Sequence, residues 1–266
     1  MYKMLVLDFD DTLLKDDLSI SPENIEAIKK AKEQGVVVLF CSGRSDESMF
    51  QYIEQLDMHD EDEYFISYNG AKIDRIDRQN IFHKRIEQPL LKELVRMGKD
   101  NDVTVQLYNG KKMIIEEINE AVKLYTDLTK SEPLVNQDLE NLEYSTKVLF
   151  NSQDRECLEA MQRKIIEVYG QDVNVFFSKP NYLEVLHKEA NKGLGVKYLA
   201  QKLGIKQEEI IAVGDSFNDI FMIEYAGLGV AVANGREEVK AKANYITEHD
   251  NNHHAVREVV EKYILG

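Results

Sequence analysis

The 266-residue sequence has no tryptophan, only two cysteines and only four prolines. Two cysteines, Cys41 and Cys157, cannot form the disulfide framework of a small secreted domain. A chain this long buries enough surface to fold without such staples. There is no low-complexity tract and no internal repeat. Long apolar runs are also missing. The longest, Val36 to Cys41, falls far short of the roughly 20 residues of a membrane-spanning helix. The N-terminal run Met4 to Leu7 stops at Asp8, so no secretory leader is expected. Positive charge is scarce: 33 basic residues face 48 acidic ones, a net charge of −15. Nucleic-acid binders carry a basic face, and anionic membranes attract one, so neither partner is expected. These absences predict an acidic, globular, cytoplasmic protein.

What is present is an alternation. Met4 to Leu7 reads as a short buried strand running into the polar cluster Asp8-Phe9-Asp10-Asp11-Thr12. Ser21 and Pro22 open a helix as N-cap and first helical residue, and Ile25, Ile28 and Ala31 keep its period as far as Gly35. Val36 to Cys41 is apolar throughout, as in a strand covered on both faces, and stops at Ser42-Gly43-Arg44. A helix over 46–56 and a strand over 64–67 follow. Strand, helix, strand, helix, strand is the grammar of a parallel sheet with right-handed crossovers.

The same grammar resumes late in the chain, with a helix over 192–203 and a strand over 210–213 that ends at Gly214-Asp215. Helices over 219–226, 236–243 and 254–264 alternate there with strands over 229–233 and 245–247. Between the halves, a hairpin over 72–86 leads into helices near 90–97, 119–129 and 153–169, with strands near 103–107, 147–150 and 173–177. The expected fold class is α/β, with a parallel-sheet core from residues 1–83 and 187–266 interrupted by an inserted domain at 84–186.

Open parallel sheets form their sites at the carboxyl ends of strands. One predicted strand ends at Asp8 and Asp10, a second at Ser42, and a third at Asp215 with Asn218 and Asp219; Lys192 begins the helix before the third. Clustered carboxylates repel one another unless a cation sits among them. Mg²⁺ suits them, because it prefers oxygen ligands and keeps several waters. A lysine and a hydroxyl in the same place serve an anion. Together they describe a phosphoryl site. One carboxylate can be the nucleophile. A second, two residues on, can protonate the leaving oxygen and later activate water.

Asp8-Phe9-Asp10-Asp11-Thr12, Ser42, Lys192 and Gly214-Asp215-Ser216-Phe217-Asn218-Asp219 resemble, in order, the four motifs of the haloacid dehalogenase superfamily. Over nearly its whole length the chain looks like the Cof-type phosphatases of that superfamily, which have a Rossmann-like core and an inserted α/β cap of the C2B type. The resemblance implies that Asp8 is the nucleophile and a Mg²⁺ ligand, and that Asp10 is the general acid/base and lends the metal its carbonyl. It implies that Ser42 and the Gly43 amide hold phosphoryl oxygens, that Lys192 neutralises the nucleophile and the transferred group, and that Asp215 ligates Mg²⁺. Asp219 would support the metal, Asn218 would touch phosphate, and Asn69-Gly70 would lie near the site entrance. The cap would read the leaving group. Two departures stand out. Asp11 occupies a position that is often Gly in the family. Near the C-terminus, Asn251-Asn252-His253-His254-Ala255-Val256 replaces an Asn-rich turn followed by Asp-Gly-Val.

Simpler readings exist for single residues. Ser42 could cap the next helix, and Lys192 could be a solvated surface lysine. Asp8 to Ser19 is not a calcium loop, since Leu13 and Ser19 stand where Gly and Glu are needed. No Walker A pattern occurs in the chain. His249, His253 and His254 invite a metal reading, but no zinc spacing completes it, and a solvated helix start is preferred. The expected function is Mg²⁺-dependent hydrolysis of small phosphorylated metabolites, sugar phosphates first, through an aspartyl phosphate. Sugar phosphomutase or phosphotransferase activity, or metabolite-binding regulation, are the alternatives. The expected assembly is a monomer or weak homo-oligomer.

Overall fold

The computed structural model describes residues 1–56, 58, 63–110, 112–129 and 131–266. They form two compact units: Met1–Phe82 with Asn191–Gly266, and His83–Ala190. The first unit begins with β1 (Met4–Leu7), α1 (Pro22–Glu33), β2 (Val37–Cys41), α2 (Asp46–Ile53), β3 (Tyr64–Ser67), β4 (Lys72–Arg75) and β5 (Asn80–His83). Ser21 caps α1, its side chain accepting from the Asn24 amide, and Pro22 sits at the first turn, where its missing N–H costs nothing.

The second unit contains β6 (Ile86–Glu87), α3 (Leu90–Asp100), β7 (Thr104–Asn109), β8 (Lys112–Ile115), α4 (Glu120–Thr129), β9 (Pro133–Val135), β10 (Tyr144–Ser145), β11 (Val148–Asn151), α5 (Arg155–Tyr169), β12 (Val173–Lys179) and β13 (Tyr182–His187). Its main sheet runs β12-β13-β11-β7-β8-β9. Val105, Leu107, Val148, Phe150, Leu183 and Val185 join residues of α3 and α5 in one buried apolar cluster. The sequence reading places no strand over 182–187, yet β13 lies inside this sheet, antiparallel to both β11 and β12. Its residues alternate, with Leu183 and Val185 toward the helices and Tyr182 and Glu184 on the other face. The buried Glu184 breaks the apolar run that would have marked the strand.

The chain returns to the first unit with α6 (Lys192–Lys202), β14 (Ile210–Gly214), α7 (Ile220–Tyr225), β15 (Leu228–Ala231), α8 (Glu237–Lys240), β16 (Tyr245–Ile246) and α9 (Ala255–Val260). Its sheet runs β16-β15-β14-β1-β2-β3-β4-β5. From β16 to β3 every pairing is parallel. β1, β14 and β15 are buried at every residue because both faces are covered. Leu5, Leu7, Phe40 and Val213 meet α1 and α9 on one face, while Met4, Val6, Leu39 and Ala212 meet α6 and α7 on the other.

After β1 the chain builds outward through β2 and β3; on its return it builds the other way, through β14, β15 and β16. The direction reverses between β1 and β14, and that is where an open α/β sheet leaves a crevice at its carboxyl edge. Among the described residues no helix is long and apolar enough to cross a membrane.

Gly70 seats α6 against the turn after β3. Its φ is +96°, and a Cβ there would lie 2.2 Å from the carbonyl oxygen of Asn191, the cap of α6. Gly70→Ala is therefore expected to cost about 1–3 kcal/mol. The check is a urea titration, where the midpoint should fall with little change of slope. An unchanged midpoint would show that the turn absorbs the methyl group.

Candidate active site

The crevice between β1 and β14 is built from both ends of the chain. Asp8 follows β1, and its amide donates to the Val213 carbonyl at 3.1 Å, so the parallel ladder continues to the first residue of the motif. Phe9 is buried, stacked on Phe40 with ring centroids 5.2 Å apart. That anchor pins the loop between two acids. Asp215 follows β14. Asn191 caps α6, accepting from the Leu194 amide, and so fixes Lys192 as the first helical residue. Lys192 is fully buried. Its Nζ donates to Asp8 Oδ1 and to Asp219 Oδ1, each at 2.5 Å. The other oxygen of Asp219 accepts from the amides of Asp215 at 3.0 Å and Ser216 at 2.9 Å. Gly214 makes room for this, since a Cβ there would lie 2.5 Å from that of Asp219. Thr12 Oγ1 donates to Asp215 Oδ1 at 3.1 Å.

Asp8, Asp215 and Asp219 can each offer an oxygen with all three oxygens within 4.8 Å of one another. One ammonium therefore faces three buried carboxylates. Burial drives the Asp8 carboxyl well above its ordinary pKa, with Asp219 adding repulsion and Lys192 opposing it. Burial, then Asp219, pushes Asp215 up to about 7. Lys192 is displaced too: burial pulls its pKa down, but Asp219 and Asp8 pull harder, and the net shift is upward. A permanently charged lysine with excess carboxylates around it is a site short of positive charge. The donors are all oxygen, which suits a hard divalent cation such as Mg²⁺.

The next strand supplies a different chemistry. Leu7 pairs with Phe40, so Asp8 and Ser42 leave adjacent strands within one residue of each other. Ser42 does not cap the following helix; Ser45 does. Ser42 Oγ instead accepts from the Arg44 amide at 3.2 Å, which leaves its own proton for an acceptor. Asn69, at φ 53°, donates its amide to the Ser42 carbonyl at 2.9 Å. Its side-chain oxygen accepts from Asn218 Nδ2 at 2.9 Å, so it ties the loop after β2 to the loop after β14. Asp10 stands apart from the buried acids. Its half-exposed carboxylate takes two donors from Arg44, Nη2 at 2.6 Å and Nε at 2.9 Å. The Arg44 guanidinium lies 5.1 Å from the centre of the Tyr52 ring.

The fold thus gathers Asp8, Lys192, Asp215 and Asp219 directly, and links Ser42, Asn69 and Asn218 by hydrogen bonds. Sequence reasoning gave no role to Arg44 or Thr12. Thr12 sits inside a quoted motif and Arg44 two residues beyond Ser42, and their position in a polar stop after a buried strand was the available signal. The three C-terminal histidines do not converge. His249 Nδ1 lies 2.7 Å from Glu258 and His253 Nδ1 2.7 Å from Asp250, while His254 Nδ1 meets Ser21 Oγ at 3.0 Å. The divergent segment braces the Asp8 loop from behind: Asn251 Nδ2 donates to the Leu14 carbonyl at 3.0 Å.

The profile of the haloacid dehalogenase-like hydrolases matches residues 5–260. The chain belongs to that family. The Bacillus subtilis protein YxeH is 31% identical over 98% of this chain and 99% of its own length. A crystal structure of a haloacid dehalogenase-like hydrolase from Bacteroides thetaiotaomicron superposes with a TM-score of 0.89 at 29% identity, covering 98% of this chain and 99% of that one. The 5-amino-6-(5-phospho-D-ribitylamino)uracil phosphatase YitU of Bacillus subtilis is 28% identical over 92% of this chain and 91% of its own.

A carboxyl raised by burial binds protons in the folded state that it has released in the unfolded one. Between the unfolded value of about 4 and the folded value of about 7 for Asp215, the metal-free protein therefore loses stability as pH rises. Melting in EDTA across this window should show a falling Tm. Added Mg²⁺ should restore more of it at the upper end, where the carboxylates are free of protons. A Mg²⁺ increment independent of pH would separate the cation from these acids.

Proposed function

We propose that this protein is a divalent-cation-dependent phosphomonoesterase that transfers a phosphoryl group from a small phosphorylated metabolite to Asp8 and then to water. The observation that carries this reading is the buried Lys192 ammonium shared by Asp8 and Asp219 at the topological switch point. A carboxylate fixed there against an ammonium can attack phosphorus while the charge on the transferring oxygens is compensated. Asp8, Asp215 and Asp219 would hold Mg²⁺, with the Asp10 carbonyl, and the cation would supply the remaining positive charge beside the phosphoryl oxygens.

The chain's own groups divide the work. The Asp8 carboxylate forms the new bond to phosphorus as the bond to the leaving oxygen breaks. Asp10, held at both oxygens by Arg44, gives that oxygen a proton and later takes one from the attacking water. The Ser42 hydroxyl and the Gly43 amide donate to phosphoryl oxygens, with Asn218 beside them, braced by Asn69. Gly70 keeps the start of α6, and with it Lys192, in place. A monophosphorylated small molecule fits the substrate named for the YitU relative. Sugar phosphates are the first class to try.

Phosphate release across a panel of phosphorylated metabolites, with Mg²⁺ or with EDTA, tests this for the wild type and Asp8→Asn in parallel. Asp8→Asn should lower kcat by about 10³-fold or more with little effect on folding, and EDTA should abolish turnover in the wild type. Turnover retained by Asp8→Asn would exclude the covalent route.

A further inference from the structure

The loop after β2, with Ser42 and Gly43, leans on a turn that is itself strained. Tyr68, Asn69 and Gly70 follow β3 with φ of 50°, 53° and 96°. Two adjacent non-glycine residues in the left-handed region persist only where their surroundings over-determine them. The turn uses this conformation to reach the β2 loop. The Tyr68 amide donates to the Arg44 carbonyl and the Asn69 amide to the Ser42 carbonyl, each at 2.9 Å. The Asn69 side chain lies on Gly43, where a Cβ would be 3.0 Å from Asn69 Oδ1.

A buried charge cluster outside the chemistry described above grips this turn. Lys72 pairs with Ser67 across β3 and β4, so it closes the connection over 68–71. Its Nζ donates to Asp46 Oδ2 at 2.5 Å and lies 2.9 Å from Asp74 Oδ2. Both aspartates are buried. Burial pulls the Lys72 pKa down, but its bonds to Asp46 and Asp74 outweigh that, and the net shift is upward. The ammonium therefore keeps its charge. Asp46 is the first residue of α2, directly beyond the β2 loop, and its Oδ1 accepts from the hydroxyl of the buried Tyr68 at 3.4 Å. One carboxylate at the end of the loop is thus held from both sides of the strained turn. Buried ion pairs add little stability over apolar packing, and apolar packing is non-directional. What Lys72 adds here is direction.

We propose that Lys72 and Asp46 are positioning residues: their ion pair clamps the turn over 68–70 against the β2 loop and so holds the Ser42 hydroxyl and the Gly43 amide where they receive a phosphoryl group. This rests on the phosphomonoesterase reading above. Donors aimed in advance at the transferring oxygens spend nothing on reorganisation during the reaction. Without the clamp the turn relaxes out of its left-handed conformation, and the loop that it supports loses its aim.

The test measures kcat/KM for the best substrate of the metabolite panel in Lys72→Met, Asp46→Asn and the double variant, with and without Ser42→Ala. Lys72→Met removes a positive charge and Asp46→Asn a negative one, so a mere change of field would move kcat/KM in opposite directions. The clamp requires one direction: both should lower it about tenfold, the scale of a small misplacement, and the double variant should be no worse than either single one. In the Ser42→Ala background the loss should vanish, because the donor being aimed is gone. Asp46→Asn leaves Lys72 paired with Asp74 and keeps the test open if Lys72→Met does not fold. Opposite changes, a loss that persists undiminished in Ser42→Ala, or a lowered Tm with kcat/KM unchanged would overturn the proposal. A Ser42→Ala variant as active as the wild type would overturn it too, while Asp8→Asn still tests the covalent route on its own. If the wild type hydrolyses nothing, the phosphomonoesterase reading fails. Calorimetric titration with inorganic phosphate and Mg²⁺ then decides the inference: affinity weakened in both single variants sustains it, and affinity unchanged, or no binding by the wild type, removes it.

Discussion

One ammonium shared by two buried carboxylates, with a third beside them, is the constraint on which the rest of this structure depends. Lys192, Asp8 and Asp219 come from places 27 and 184 residues apart in sequence, yet their charged atoms meet at 2.5 Å. Moving Asp215 from its ordinary pKa to about 7 corresponds to about 4 kcal/mol. That exceeds an exposed ion pair, at about 1 kcal/mol or less, and approaches the total margin of a folded domain, about 5–15 kcal/mol. An imbalance of this size persists in a fold only where something else completes it. A divalent cation beside the carboxylates is the economical completion, and the phosphoryl group brings negative charge that the same cation and Lys192 can share.

The sheet makes this juxtaposition without strain in the strands themselves. β1 and β14 are parallel neighbours buried on both faces, so their ends are held as firmly as any backbone in the molecule. The specialised geometry is confined to the first residues beyond them. Phe9 drives into the core between Asp8 and Asp10, and Gly214 yields its Cβ space to Asp219. A glycine and a phenylalanine, inert in the chemistry, determine where the acids stand.

This explains which parts were legible in the sequence. Apolar runs that end abruptly in Asp8, Ser42 and Asp215 reveal strands and, by the strand-end rule, a site. Lys192 is legible as the start of the helix over 192–203 and through its resemblance to a motif. The Arg44–Asp10 pair and the Asn69–Asn218 link are not legible, because they depend on how two loops turn after their strands, and loop turns carry no periodicity. In the second unit, β13 was missed for a related reason. A strand with one apolar face and one face carrying Glu184 looks like an exposed strand or a loop, and only the register with β11 shows that the charged side is buried as well.

An acidic protein that handles phosphate also needs a physical account, because a net charge of −15 repels a dianion at long range. Over a Debye length of about 8 Å at physiological ionic strength, most of that charge is screened. On the proposed reading, what would act on a phosphoryl group at contact is local: Lys192, the amide and hydroxyl of the β2 loop, and a cation held by the carboxylates that make the site acidic. The surplus negative charge then has two opposite effects. At a distance it disfavours polyanions such as nucleic acid, while at the crevice it favours a divalent cation. The composition and the site are therefore consistent: the surplus of acids that repels a dianion at long range is also what suits the crevice to a cation.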